Sequence, residues 1–142
     1  MVVLVSAALL AVRLLPDEKG RAVAWSDLSA QTGPLTIRSS QRRVFRKPSS
    51  LARYLEETGA RKPVPAVDFS DRQLLLVSPG PRSSSGYAVE VLSAREADGE
   101  ITVRVRERSP GLNDRVQPRL THPYLLISLP AGPEVYVDWV GR

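Results

Sequence analysis

Gly86-Tyr87-Ala88-Val89-Glu90-Val91-Leu92, then Asp98-Gly99, then Ile101-Thr102-Val103-Arg104-Val105-Arg106, is the stretch that decides the fold. Tyr87, Val89 and Val91 alternate with Ala88, Glu90 and Leu92, and Ile101, Val103 and Val105 alternate with Thr102, Arg104 and Arg106. A period of two puts successive side chains on opposite faces, so each run reads as a strand with one face buried and one wet. Asp-Gly between two such runs marks a tight hairpin, because both residues tolerate the positive φ that the turn requires. Just upstream, Leu74-Leu75-Leu76-Val77 is apolar without alternation, the pattern of a central strand covered on both sides.

Working outward, 124–129 and 135–140 read as two final strands joined by Pro130-Ala131-Gly132-Pro133, after a long loop at 109–118. Toward the N-terminus, Arg61-Lys62-Pro63-Val64-Pro65 is an extended connector, and Gly33-Pro34 is a turn. Val23 and Trp25 open a strand, and 35–45 is a polar strand or strand pair with Leu35, Ile37 and Val44 facing inward. One helix is expected near 50–58. Pro48-Ser49-Ser50 supplies its cap, Leu51, Tyr54 and Leu55 fall on one face, and Gly59 stops it. The expected fold is mainly β (α+β): an antiparallel sheet or sandwich-like domain of six to eight short strands with one short helix, filling residues 21–142.

Residues 1–20 stand apart as an apolar segment and linker. The uncharged run from Val2 to Val12 is too short to cross a bilayer, which takes about 20 residues. It suits the apolar core of a secretion signal, although a basic start is missing and Arg13 interrupts it. A start codon called late, trimming a signal or anchor, accounts for both features, and Asp17-Glu18-Lys19-Gly20 then reads as a polar linker. Such a segment could contact a membrane; the alternative is a buried first helix or strand of the domain.

The composition closes most enzyme templates. There is no cysteine and one histidine, so thiolate metal sites, cysteine nucleophiles and histidine clusters are excluded, and no metal or cofactor is expected. Ser83-Ser84-Ser85 would need a base, and the sole candidate, His122, sits before Pro123 in a turn-like context with no G-x-S-x-G elbow. The carboxylates Glu56, Glu57, Asp68, Asp71, Asp98 and Asp138 are scattered, and nothing selects a catalytic pair. An enzyme is not expected. The net charge of +5 equals the contribution of one acid-free strip, Arg38, Arg42, Arg43, Arg46 and Lys47. In an alternating strand Arg38 and Arg42 share one face, with Arg43 opposite. The strip could meet a polyanion, but Phe45 is the only ring nearby and nucleic acid is the weaker candidate. Arginines that guard an edge strand explain it more cheaply.

Beyond these features lies an ordered set of short motifs. Val67-Asp68-Phe69 precedes the apolar strand, a Pro/Gly loop leads into Ser84-Ser85-Gly86-Tyr87, and a hairpin follows. Then come Glu107-Arg108-Ser109-Pro110-Gly111 and Thr121-His122-Pro123-Tyr124. This order resembles the PrcB family of protease-complex subunits, whose C-terminal domain carries V-D-F, a strand, a T-G-G-Y-like turn, a hairpin, a P-G loop and a T-x-P-Y strand start. The helix at 50–58 falls where that family also tends to place one. The chain departs at Ser85, where the family has the first of its two glycines.

The resemblance implies a non-enzymatic, extracytoplasmic or envelope protein that binds and stabilises a secreted or surface protease, or another envelope protein. Family motif positions expected to meet the partner are Ser84, Ser85, Gly86, Tyr87, Thr121, Pro123 and Tyr124, on loops 78–86 and 109–123 if these cluster. A T-G-G-type turn is also similar to one loop of the chagasin-like cysteine protease inhibitors, which implies an alternative, inhibition through loop 78–86.

Overall fold

The alternating hairpin forms as its pattern dictates, in a computed structural model that describes residues 19–141; of the apolar segment and linker expected at 1–20, residues 1–18, and with them the expected signal or anchor, lie outside the described residues. Ala88–Ala97 and Glu100–Arg108 pair antiparallel about Asp98 (φ 53°) and Gly99 (φ 76°). In chain order the elements are β1 (Arg21–Ala22), β2 (Ser26–Asp27), α1 (Ser29–Thr32), β3 (Gln41–Phe45), α2 (Pro48–Glu57), β4 (Arg72–Ser78), β5 (Ala88–Ala97), β6 (Glu100–Arg108), β7 (Leu125–Pro130) and β8 (Glu134–Trp139). They build two four-stranded sheets: an outer one in the order β1-β5-β6-β8 and an inner one in the order β2-β7-β4-β3. All pairings are antiparallel except β6 with β8. The eight strands bear out the sandwich-like, mainly β expectation.

The two central strands of the inner sheet, β4 and β7, are buried on both faces. Leu75 and Val77 of β4, with Leu125, Ile127 and Leu129 of β7, face Val89, Ala94, Ile101, Val103, Val105 and Val135 of the outer sheet. Their neighbours Leu74, Leu76 and Leu126 face the other way, onto Leu51, Tyr54 and Leu55 of α2 together with Leu35 and Ile37. The molecule is therefore three layers deep, sheet on sheet on helix. That is why 74–77 shows no alternation: neither face of β4 meets water. The outer sheet has one covered face and alternates cleanly. An extra residue between Val91 and Ser93 shifts the phase of β5, so Val89 and Ala94 both reach the core although one is odd and the other even.

Several boundaries differ from the sequence reading. Helix α2 begins at Pro48, with Lys47 as its N-cap and no side-chain cap bond, so Ser49 and Ser50 lie inside the first turn. Its C-terminus closes as expected: Gly59 (φ 79°) donates to Glu56 O and Ala60 to Leu55 O, the two bonds of a Schellman cap. A second, one-turn helix, α1, was not foreseen, because four residues carry no periodic signal. The polar segment 35–45 is a strand only from Gln41; Leu35 and Ile37 are buried without pairing in a sheet. Val23 and Trp25 lie where the chain crosses from the outer to the inner sheet, between two-residue strands.

Leu76→Ala should test the layered arrangement by opening a void between β4 and α2. A loss of about 2–5 kcal/mol in urea unfolding is expected, against less than about 0.5 kcal/mol for Leu92→Ala on the exposed face. Equal losses would contradict the double burial of β4.

Candidate functional site

Two connections leave the same end of the sandwich: 79–87, from β4 to β5, and 109–124, from β6 to β7. Because β4 and β7, and β5 and β6, are antiparallel neighbours, the end of β4 lies beside the start of β7 and the start of β5 beside the end of β6. The two loops meet there, a condition the sequence reading left open, and are stitched by backbone. Arg82 and Thr121 exchange two N–H···O bonds of 2.9 Å. Ser85 N donates to Gln117 O at 3.0 Å, Gln117 N donates to Ser85 Oγ at 2.8 Å, and Thr121 Oγ1 donates to Ser84 O at 2.7 Å.

An ion pair underlies this seam. The Arg82 guanidinium forks onto Glu107, Nε to Oε2 at 2.7 Å and Nη2 to Oε1 at 2.8 Å, and donates to Pro81 O at 3.0 Å. It also lies 5.8 Å from the centre of the Tyr87 ring. The hydrogen bonds that Arg82 donates to Glu107 raise the Arg82 pKa above its ordinary value, against the opposing effect of burial. Sequence reasoning missed this pair: the two residues stand 25 apart, and only the loop topology brings them together.

Gly86 has φ 96°, and a Cβ there would lie 2.9 Å from Pro110 Cβ and 3.2 Å from Val116 Cγ1. Backbone conformation and space both demand glycine. Ser85, at the family's first glycine, needs no such freedom, since Asp98 is the only described residue other than glycine with positive φ. The serine adds the hydroxyl that holds Gln117.

The remaining motif residues point inward. Pro123 O accepts from Ser78 Oγ at 2.9 Å, and His122 Nδ1 lies 2.9 Å from Ile37 O. The Tyr124 hydroxyl reaches the carbonyls of Ser29 (3.0 Å) and Gly33 (2.5 Å) and lies against Thr32 Oγ1. Burial pushes the Tyr124 pKa up, with the Thr32 bond opposing and Asp27 adding. The serines, too, are committed to structure, since Ser84 Oγ donates to Ser85 O and Ser85 Oγ accepts from Gln117. Among the described residues no group of three or more His, Cys, Asp or Glu could hold a metal ion, and no helix is long and apolar enough to cross a membrane.

What the loops present to solvent is a different set. Leu112 is fully exposed, Leu120 is 67% exposed and Val116 40%. Every residue of 111–120 is exposed, yet the segment is tied at Gln117, Thr121 and Asp114, whose Oδ2 accepts from Gly111 N at 2.6 Å. Sequence reasoning passed over these apolar residues because spacing of four within a loop looks like no element. Three uncharged, poorly soluble side chains in a stretch with no strand or helix were the available signal.

The basic strip is dispersed. Arg42 donates to Val135 O on β8, Arg46 Nη2 lies 3.7 Å from Glu134, and the Arg43 guanidinium sits 5.1 Å over the Tyr54 ring. Arg42 and Arg43 do leave opposite faces. Arg38 does not join Arg42, because the chain bends at Ser39 before the strand begins; it lines an open cleft of about 550 Å³ with Arg43, Tyr54 and Glu57. Lys47 caps α2.

Two substitutions test the seam. Gly86→Ala should cost more than Gly59→Ala, which meets nothing within 4 Å and bears only the roughly 1–2 kcal/mol of a positive φ; equal losses in chemical unfolding would count against close loop packing. Tyr124→Phe should cost about 1–3 kcal/mol at neutral pH by stranding its partners. The unfolded phenol ionises near its ordinary pKa while the buried one stays neutral, so stability is full below that pH and falls as pH rises above it. The variant should therefore show a shallower alkaline loss, followed by urea unfolding against pH.

Residues 74–130 match the family model described as PrcB C-terminal. That interval runs from β4 through β7 and contains both loops, while Val67-Asp68-Phe69 and α2 lie outside it. No curated protein and no solved structure matches the chain. The match supports the family resemblance read from the order of motifs, and the stretch that carries both loops is similar to the C-terminal domain of PrcB.

Proposed function

We propose that this chain is a non-enzymatic, extracytoplasmic binding module that docks on a protein partner, a secreted or surface protease, and stabilises it. The carrying observation is the set of exposed apolar residues Leu112, Val116 and Leu120 on a loop braced by Arg82, Ser85 and Thr121. Apolar side chains held in water on a tethered loop gain on burial without a large further ordering cost. The PrcB C-terminal match and the apolar start of the sequence support a protease-complex role outside the cytoplasm. The motif residues Ser84, Gly86, Thr121 and Tyr124 act here by shaping the platform, and the outer loop makes the contact.

A photo-crosslinking residue at Leu112 or Leu120 should capture a protease in native cells, while one at Val64, also exposed, should not. Leu112→Ser with Leu120→Ser should weaken binding by at least about tenfold and leave the unfolding midpoint unchanged. Longer protease half-life with the wild-type chain supports stabilisation; loss of protease activity would assign inhibition instead. Equal capture at Val64 would reject the loop.

A further inference from the structure

A basic cleft stands beside the braced loops. Residues 36–39 cross the C-terminal end of α2, where Thr36 N donates to Thr58 O at 2.8 Å, and the buried Ile37 anchors the segment in the core. The same segment packs against both loops: Ile37 O accepts from His122 Nδ1 at 2.9 Å, and a Cβ on Gly80 would lie 3.0 Å from Ser40 N. Next to it, β3 turns Gln41 and Arg43 toward α2. Gln41 Oε1 accepts from the Tyr54 hydroxyl at 2.9 Å, and the Arg43 guanidinium lies 5.1 Å over the Tyr54 ring. These residues, with Arg38 and Glu57, line the open cleft of about 550 Å³. Because Gln41 pairs with Ser78, the cleft sits at the end of the sandwich from which the loops depart.

We infer that this cleft takes the carboxylate of an Asp or Glu side chain presented by the protein partner that covers loop 109–124. Arg38 and Arg43 both line it, and among the described residues neither has a carboxylate partner, whereas Arg21, Arg46, Arg82, Arg104, Arg106 and Arg108 each have one. Stacking on Tyr54 uses the face of the Arg43 guanidinium. Its in-plane N–H groups stay available for an anion, on a cation already held in position. Glu57 offsets one of the two charges, so the cleft carries a single positive charge in excess and suits one carboxylate better than a polyanion. Arg43 still dominates. Burial raises the Tyr54 pKa, and Arg43, which lowers it, acts more strongly than Glu57, which raises it. Apolar contact at the loop and a charged contact here then lie on one surface, the first supplying area and the second orientation.

The inference rests on the protein-binding role above, and two readouts separate them. An acetylated, amidated pentapeptide with one central glutamate, and its glutamine twin, are titrated into the full chain. Binding is followed by NMR at the Arg43 Nε–Hε signal and at amides 36–43. The glutamate peptide should move these signals saturably, and Arg38→Gln or Arg43→Gln should each weaken it by about fivefold with the fold intact. Glu57→Gln should tighten it, which a merely structural cleft would not do. Arg43→Lys should fall short of full affinity, since an ammonium lacks the planar fork. An equal response to the glutamine twin, tighter binding of inorganic phosphate than of the peptide, or cross-peaks placing Asp17 or Glu18 of this chain against Arg43 would each overturn the cleft. In native cells Arg43→Gln should lower the crosslink yield from Leu112. An unchanged yield would overturn the cleft and leave the loop's role standing; no crosslink from either chain would remove both.

Discussion

Everything positioned at the loop end depends on β4 having no wet face. Leu75 and Val77 hold the outer sheet while Leu74 and Leu76 hold α2, so one four-residue run links all three layers. Its neighbour β7 does the same, with Leu126 on the helix side and Leu125, Ile127 and Leu129 on the other. Burial on both sides also fixes register, because a slip of one residue would exchange the two faces and gain nothing on either. The ends of β4 and β7 are thereby set, and with them the points from which both loops depart. Gln73 extends the hold to the other end of the strand, its Nε2 donating to Pro130 O and Pro133 O where the chain crosses to the outer sheet.

From that rigid base the loops are braced in a definite order. The Arg82–Glu107 fork ties the first loop to the end of β6, the Arg82–Thr121 bridge ties the first loop to the second, and Gly86 brings their backbones close enough to pack. Glu107 is the more buried of the ion pair, its side chain 15% exposed against 25% for Arg82. A carboxylate so placed needs its cation, and the cost of separating them outweighs the modest value of a fully exposed pair. Arg82 therefore serves the position of the loop more than any contact outside it.

The sequence was most legible where one physical signal dominated. Alternation in Ile101, Val103 and Val105 named a strand with a single covered face; its absence in 74–77 named one with two. The helix announced itself through Leu51, Tyr54 and Leu55, and Gly59 marked its end. Signals failed where structure comes from distant partners. Leu35 and Ile37 look like strand residues but are held by α2 and the inner sheet, and α1 exists because Ser29 and Thr32 meet β7 and Tyr124. The bulge in β5 was invisible because each half of the strand alternates correctly on its own. The ordered motifs pointed to the family whose model matches 74–130, and Ser85, Gly86 and Thr121 among them shape the loops.

That outcome has a physical cause. A residue that must be glycine, or must place a hydroxyl on a particular amide, leaves a short and recognisable mark in sequence, whereas a contact residue need only be apolar and exposed. Gly86 and Ser85 satisfy the first kind of demand, Leu112 and Leu120 the second. Motifs of this sort therefore report the platform and stay silent about what stands on it. Under the proposed role, partner choice would rest on the side chains around the platform, above all the apolar tip of the outer loop. Those positions can change without disturbing β4, its two covered faces or the braced loops, so one scaffold can carry different partner preferences.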